Sequence, residues 1–180
     1  MKNVVLYIAM SIDGYIADRQ GSVDWIKGQD DKAETPDTWT PFFENIDTVI
    51  MGRKTYQQIV TELSPGAWVY DGAVTYVLTH DATMPDTETV RFRDTDPCLL
   101  VEQLRKGTGK DIWICGGAET VAGLIDRDMI DVYHIAIIPV LLGSGIKQFG
   151  KTDSRLHLTL RRTLSYNGIV ELVYERKHQK

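Results

Sequence analysis

Short, continuous apolar runs alternate along this chain with segments whose apolar residues recur at helical spacing. A run without polar alternation suits a strand buried on both faces. The runs of this kind are Val4–Met10, Thr48–Met51, Val74–Thr79, Asp111–Cys115 and Val132–Val140. Helical patterns lie between them at Tyr56–Leu63, Leu100–Leu104 and Glu119–Ile125. Because strands that alternate with helices usually form a parallel sheet covered on both faces, the sequence predicts an α/β fold.

The last quarter of the chain has a different pattern. Apolar and polar residues alternate over residues 156–160 and largely do so again over residues 170–174, with Asn167-Gly168 between the two runs. Asn-Gly is a strong hairpin signal because both residues tolerate a positive φ. We therefore expect an antiparallel hairpin to close the sheet. The stretch Gly28–Pro41, rich in Asp, Thr and Pro, is interpreted as a loop over one end of the sheet.

Length and charge place the chain among ordinary globular proteins. Its 180 residues, of which 43% are hydrophobic and 25% charged, suit one domain over residues 1–180. A net charge of -5 without a basic block gives no reason to expect nucleic acid. Cys98 and Cys115 lack metal-ligand or redox spacing, and residues 1–10 are too short to span a membrane. These features predict a cytoplasmic protein without a bound metal.

The segment Val49–Tyr56 marks a transition from a strand to a helix. It places Gly52, Arg53, Lys54 and Thr55 at the helix N-terminus, where free backbone N–H groups and the helix dipole favour an anion. Arg53 adds a planar fork that matches a phosphate. The alternative is a solvated basic turn.

A second glycine turn follows the strand Asp111–Cys115 and opens the next helix. Its residues are Gly116, Gly117, Ala118, Glu119 and Thr120. A tight turn without a ligand would explain it equally well. However, both turns follow parallel strands, so they should lie at the same carboxyl edge of the sheet, where open α/β sheets bind ligands.

Four segments, in order, resemble the dihydrofolate reductase superfamily: Ile8–Ala17, Val49–Tyr56, Ile112–Ala118 and Ile138–Gly145. The closer resemblance is to the C-terminal reductase domain of the bifunctional riboflavin-biosynthesis deaminase/reductase, because of Met-Ser-Ile-Asp-Gly and Pro-Val-Leu-Leu-Gly-Ser-Gly. The zinc pattern of a deaminase domain is absent from the sequence. The resemblance therefore implies a free-standing reductase with a mostly parallel sheet of about eight strands.

The resemblance also implies NADPH as the cofactor and a set of residues that hold it. Those expected at the 2′-phosphate and pyrophosphate are Gly52, Arg53, Lys54 and Thr55. Those expected beside the adenine are Leu78, Thr79 and His80. Those expected along the pyrophosphate and nicotinamide are Gly116, Gly117, Ala118, Glu119 and Thr120, and those around the nicotinamide are Ala9, Ile16 and Ala17. The paired glycines are typically joined by a cis peptide in this superfamily.

The catalytic group is harder to identify. Trp25 and Asp30 have the Trp-x-x-x-x-Asp spacing of the folate enzymes' buried carboxylate, although the proline of that motif is missing and Asp31 could serve equally. Asp13, near the end of the first strand, is another candidate. The alternatives are a solvated loop residue for Asp30 and a turn-forming role before Gly14 for Asp13. Trp25 and Phe42 are candidates for the flat walls of a substrate pocket.

Three functions remain open from the sequence. The first is an NADPH-dependent reductase of a pyrimidine or pteridine-like heterocycle, of the 5-amino-6-(5-phosphoribosylamino)uracil reductase type in riboflavin biosynthesis. The second is a dihydrofolate reductase, and the third is a non-catalytic nucleotide-binding protein of the same fold. The segment 24–37 contains five acids and only two lysines. That charge balance counts against a phosphorylated substrate.

The expected assembly is a homodimer. The domains that this chain resembles are homodimers, and the apolar run Val132–Leu142 is longer than an exposed edge strand should be. A twofold interface formed by this strand and the closing hairpin is the prediction. The alternative is a strand in the middle of the sheet, covered on both faces.

Overall fold

The computed structural model describes residues 1–81, 83–150 and 155–177. The strands are β1 (Val4–Ser11), β2 (Tyr15–Ala17), β3 (Ile46–Gly52), β4 (Val74–Leu78), β5 (Val90–Arg93), β6 (Asp111–Gly116), β7 (Val132–Ile138), β8 (Ile146–Lys147), β9 (Leu158–Tyr166) and β10 (Ile169–Arg176). The helices are α1 (Trp39–Phe43), α2 (Arg53–Gln58), α3 (Pro97–Arg105) and α4 (Ala118–Asp126). Helix α2 continues directly into a π-helical turn at Ile59–Leu63.

One sheet has eight strands in the order β5-β4-β3-β6-β1-β7-β10-β9. The first six strands in this order, from β5 to β7, pair in parallel. By contrast, β10 pairs antiparallel with β7, and β9 pairs antiparallel with β10. The turn between β9 and β10 holds Asn167 at φ 44 and Gly168 at φ 76. The predicted α/β class, the mostly parallel sheet and the closing hairpin are therefore confirmed. Strands β2 and β8 form a separate antiparallel pair.

Two apolar cores cover the two faces of this sheet. Successive residues of a strand point to opposite faces. Leu6 and Ile114 belong to the core under α3 and α4. Their strand neighbours Tyr7 and Trp113 pack with the aromatic residues of α1 and α2 instead. The five predicted inner strands are thus buried on both sides, as their continuous apolar runs require.

Strand β7 lies in the middle of the sheet rather than at an exposed surface. It pairs with β1 on one side and with β10 on the other, and five of its seven residues are buried. For this strand, the premise of an exposed apolar run that forms a dimer interface is wrong, because two neighbouring strands and both cores cover it. Beyond the strand, Leu141 of the same run is 69% exposed. The sheet edge in this region is β9, where residues 159–163 are exposed.

The loop predicted at Gly28–Pro41 is shorter than expected. Helix α1 begins at Trp39, inside that segment, and Asp37 accepts a hydrogen bond from the backbone N–H of Thr40 at 2.9 Å. The helix stacks Trp39 on Phe43, with ring centroids 5.1 Å apart. Trp39 also meets Trp113 of β6 edge to face. Aromatic packing against the sheet therefore stabilises a helix too short to form alone.

Candidate functional site

The two predicted glycine turns lie side by side at the carboxyl edge of the sheet. Strands β3 and β6 are neighbours, and Met51 aligns with Gly116 just where both strands end. A Cβ atom built on Gly52 would lie 3.6 Å from Thr120 Oγ1, and one built on Gly117 would lie 3.6 Å from Thr55 Oγ1. Each turn's glycine therefore faces a threonine at the start of the other turn's helix. The peptide between Gly116 and Gly117 is cis, as the resemblance implied.

This gap between the turns offers hydrogen-bond donors. Gly52 and Gly117 are the N-cap residues of α2 and α4, and neither helix has a side-chain cap. The backbone N–H groups of the first helical turns are therefore not satisfied by a capping side chain. Together with the threonine hydroxyls, they form the donor set that phosphate oxygens require. The residues present therefore fit the pyrophosphate of a dinucleotide.

Two cations flank this gap. Arg53 and Lys54 are both exposed at the start of α2. The guanidinium of Arg53 lies 3.2 Å from a carboxylate oxygen of Asp81, which follows β4. Exposed ion pairs of this kind contribute little to stability, and one Arg still has further donors for a phosphate. Asp81 therefore orients Arg53, and an incoming phosphate competes with it for that guanidinium.

The remaining predicted cofactor residues lie at the ends of β4 and β1. Thr79 is buried after β4, whereas the side chain of His80 is 98% exposed and hydrogen-bonds Asp94 at 2.7 Å. Leu78 is half-buried against the core of α3 and α4. Ala9 lies in the carboxyl half of β1 and lines a cavity beside that strand. Ile16 and Ala17 belong to β2, which β8 holds beside the end of β1.

A cavity of about 280 Å³ opens beside the carboxyl halves of β1 and β7. Its walls are mostly flat or aliphatic side chains. They come from β1, β6, β7, β9, β10, α1 and the loop before α1, and the lining residues are Tyr7, Ile8, Ala9, Ile26, Trp39, Trp113, Ala136, Ile138, Tyr166, Ile169 and Glu171. An apolar pocket with a few converging polar groups is the usual form of a small-molecule site. The size and shape suit one flat ring system.

A buried polar network forms one wall of this cavity. The carboxylate of Glu171 is 1% exposed, and its Oε1 accepts hydrogen bonds from Tyr166 Oη at 2.6 Å and Thr38 Oγ1 at 2.8 Å. Its Oε2 lies 2.8 Å from His134 Nε2. The hydroxyl of Tyr7 reaches Thr38 Oγ1 at 3.3 Å, and its ring stacks on His134 with centroids 4.0 Å apart. Every polar group that touches Glu171 here is a donor.

The surroundings determine the charge of this network. Burial raises the pKa of Glu171, but hydrogen bonds from Tyr166, His134 and Thr38 outweigh it and leave the pKa below the ordinary value. Burial lowers the pKa of His134 more than the nearby carboxylate raises it. Burial and the bond to Glu171 raise the pKa of Tyr166 to about 12. At neutral pH, Glu171 is therefore ionised while His134 and the phenols are neutral.

The two predicted catalytic acids lie at a distance from this network. Asp30 and Asp31 are exposed. Asp30 Oδ1 accepts a hydrogen bond from the backbone N–H of Lys32 at 2.9 Å, and Asn167 at the hairpin tip bonds both backbone groups of Asp30. Neither acid lines the cavity. Their assignment as ring-orienting groups stays a prediction, and the local geometry is that of a loop anchored to the hairpin.

Other candidates from the sequence have defined local roles. The carboxylate of Asp13 accepts from the backbone N–H groups of Leu142 and Gly143 and from Ser11, which lower its pKa to about 2. Trp25 is half-buried, with its indole N–H bonded to the carbonyl of Ser22 at 3.1 Å. Phe42 packs edge to face on Tyr7 and Trp113, behind the cavity wall. The flat walls themselves are Trp39 and Trp113.

Sequence reasoning missed Glu171, His134 and Tyr166. The alternating pattern at residues 170–174 drew attention to the apolar positions, and a histidine inside a strand is most simply a core residue. In the structure Val170 is exposed and Glu171 is buried, because the polar positions of β10 face the cavity side of the sheet. A histidine inside a strand predicted to be an inner one, together with an acid in the closing hairpin, is the signal that could have found them.

The chain is similar in sequence to known proteins. The model of the RibD C-terminal domain family matches residues 2–170. The uncharacterized protein YwjB of Bacillus subtilis strain 168 is 36% identical over 175 residues, which cover 97% of this chain and 98% of that protein. Among the described residues, none of the helices is long and apolar enough to cross a membrane.

Two crystal structures are similar to the whole chain. A protein of Shewanella sp. PV-4, provisionally described as a riboflavin biosynthesis protein, has a TM-score of 0.83 and 26% identity over 99% of this chain and 100% of its own. The deaminase/5-amino-6-(5-phosphoribosylamino)uracil reductase of Thermotoga maritima has a TM-score of 0.69 and 16% identity, and it covers 98% of this chain but only 57% of its own. The second likeness is one of fold.

Proposed function

The chain belongs to the RibD C-terminal domain family, and from that premise we propose that it is an NADPH-dependent reductase of a small heterocycle. The observation that carries the proposal is the pairing of two uncapped glycine turns with a flat, aromatic-lined cavity at one sheet edge. Strand β1, whose end lines the cavity, is the direct neighbour of β6, whose end forms one of the turns. Cofactor and substrate would therefore bind next to each other.

The residues of the two turns bind the cofactor in this proposal. Backbone N–H groups at Gly52 and Gly117 and the hydroxyls of Thr55 and Thr120 hold the pyrophosphate. Arg53 and Lys54 take the 2′-phosphate, while Leu78, Thr79 and His80 flank the adenine. Bound NADPH supplies a hydride, and the protein's contribution is to stack the two rings in a fixed orientation.

The cavity walls orient the substrate. Ala9, Ile16 and Ala17 are assigned to the nicotinamide side, and the rings of Trp39 and Trp113 give a flat slot for a pyrimidine or pteridine-like ring. The reaction is of the 5-amino-6-(5-phosphoribosylamino)uracil reductase type. The acids of segment 24–37 disfavour a phosphate at the mouth, so we propose an unphosphorylated relative of that substrate.

An NADPH oxidation assay tests the function. Purified protein is mixed with NADPH and with one candidate substrate at a time. The candidates are 5-amino-6-(5-phosphoribosylamino)uracil, its dephosphorylated form and dihydrofolate. We expect oxidation with the dephosphorylated uracil compound to exceed that with the phosphorylated one. Oxidation with dihydrofolate alone would favour a dihydrofolate reductase, and NADPH binding without any oxidation would favour the non-catalytic alternative.

We keep the homodimer as a proposal, with the closing hairpin as its surface. Strand β9 is the sheet edge and exposes residues 159–163, among them Leu160 at 50% exposure. The glycine turns lie at the ends of other strands, so this interface would leave them open. Sedimentation at micromolar concentration tests it: a single species near the chain mass of 20.3 kDa would refute the dimer.

A further inference from the structure

The polar wall of the cavity carries one negative charge, that of the Glu171 carboxylate. Groups from every element packed there face Glu171: Tyr7 of β1, Thr38 before α1, His134 of β7 and Tyr166 of β9. All four are neutral donors at neutral pH, because burial raises the pKa of Tyr7 and of Tyr166 and lowers the pKa of His134, while the Thr38 hydroxyl carries no charge. Among the described residues, neither an Arg nor a Lys forms an ion pair with this carboxylate. Arg162 of β9 acts on the network only through its longer-range field.

We infer that Glu171 is the substrate-recognising residue of this cavity and that it selects a flat ring bearing a positive charge or an amidine-like pair of N–H groups. The inference rests on the proposed function and narrows its substrate class. It adds Glu171 to Asp30 and Asp31 as a candidate for the group that orients the ring.

The energetics of burial support this assignment. A carboxylate withdrawn from water is costly unless charges or hydrogen bonds compensate it. The two oxygens of a carboxylate can accept about four hydrogen bonds. Glu171 accepts three, all from neutral donors, so its burial is only partly compensated. A cationic or N–H-bearing ring would supply the missing partner. The apolar walls strengthen that attraction, because they lower the local dielectric.

The aromatic walls and the adjoining loop point to the same ligand chemistry. Trp39 and Trp113 offer ring faces, which attract cations as well as stack on flat rings. The loop that contributes Ile26 to the cavity has five exposed acids and two exposed lysines. The acids are Asp24, Asp30, Asp31, Glu34 and Asp37. Their net field attracts a cation and repels a phosphate.

Benzamidine and benzamide test the inference, because they have nearly the same shape and differ in charge. Binding to NADPH-free protein is followed by tryptophan fluorescence, since two of the chain's four tryptophans line the cavity. We expect benzamidine to bind at least about tenfold tighter than benzamide near neutral pH, the low end for one hydrogen bond to a charged group. Glu171→Gln should abolish this ratio. Glu175→Gln, an exposed carboxylate of the same strand, should preserve it.

The pH dependence separates this role from a structural one. Benzamidine stays cationic over the whole range, whereas His134 gains a proton as the pH falls below its lowered pKa, which is under 6.5. A protonated His134 cancels the charge of Glu171, so the preference should fall there. In His134→Gln it should persist to lower pH, until Glu171 itself is protonated below 4.5. This variant also tests the inference if Glu171→Gln does not fold.

Equal affinity for both probes in the unaltered protein would overturn the inference, and so would a ratio that survives in folded Glu171→Gln. NADPH binding is measured separately by calorimetry. A benzamidine preference without NADPH binding would refute the proposed function and leave the cation site standing. NADPH binding without the preference would refute only the inference.

Discussion

Substitution of Gly52 by alanine tests whether the cofactor's phosphates lie in the gap between the two turns. The backbone there has φ -78 and ψ 160, which alanine adopts freely. The added Cβ would lie 3.6 Å from Thr120 Oγ1 and 3.9 Å from the backbone nitrogen of Gly117, both ordinary contacts. The fold should therefore accept the methyl group. A cofactor phosphate bound across the two turns, as proposed, would meet that methyl group instead of open backbone.

The size of the effect follows from the hydrogen bonds that the methyl group blocks. Loss of one charge-assisted bond costs about 1.5–3 kcal/mol, which corresponds to a rise of about 10- to 150-fold in the dissociation constant of NADPH. Stability should change by less than about 1 kcal/mol, because the entropic gain of alanine over glycine and its poorer N-cap preference oppose each other.

Calorimetry with NADPH and thermal unfolding measure the two quantities on the same samples. Gly150→Ala is the matched control, since its Cβ would have no atom within 4 Å and the residue lies outside both turns. If Gly52→Ala melts like the unaltered protein and binds NADPH equally well, the phosphates do not lie between Gly52 and Gly117, and the cofactor assignment fails.

Three further predictions concern single side chains. Arg53→Ala should weaken the binding of NADPH about tenfold and the binding of NADH little. The effect on NADPH is no larger because Arg53 is exposed and already forms an ion pair with Asp81. Calorimetric titration with both cofactors measures the two affinities. Asp30→Asn should lower turnover and leave NADPH binding intact if Asp30 orients the ring, whereas an unchanged rate would transfer the role to Asp31 or to ordered water. Between about pH 7 and about pH 5, the unaltered protein should lose more free energy of unfolding than His134→Gln, as chemical denaturation would show. The reason is that the folded pKa of His134 is lowered, so the unfolded chain takes up the proton more readily than the folded protein does. The contribution of His134 to stability is therefore present above pH 6.5 and is lost as the pH falls through the folded pKa. An equal loss in both proteins would contradict the burial argument.

Sequence patterns predict the inner strands and the glycine turns of this fold better than they predict the polar wall of the site. Continuous apolar runs predicted the inner strands because a strand buried on both faces needs no polar positions. The rule that parallel strands end at one edge then predicted that Gly52 and Gly117 would lie near each other. Strand order cannot be obtained from these patterns, so the apolar run of β7 was interpreted as an exposed surface.

The polar wall depends on pairing register and could not be predicted from the pattern. Glu171 aligns with Ala136 across β7 and β10, and only this register brings it within reach of His134 and of Thr38 in the loop before α1. Strand β5 was missed for a related reason. Its sequence Val-Arg-Phe-Arg has half-buried arginines, and an edge strand of four residues lacks the continuous apolar run that identifies an inner one.

The most direct test of the proposed function is a calorimetric comparison of NADPH and NADH with the unaltered protein. A 2′-phosphate that contacts Arg53 and Lys54 gains at least one charge-assisted hydrogen bond. NADPH should therefore bind at least about tenfold tighter than NADH at moderate salt. Equal affinity for the two cofactors, or no binding of either, would contradict the account.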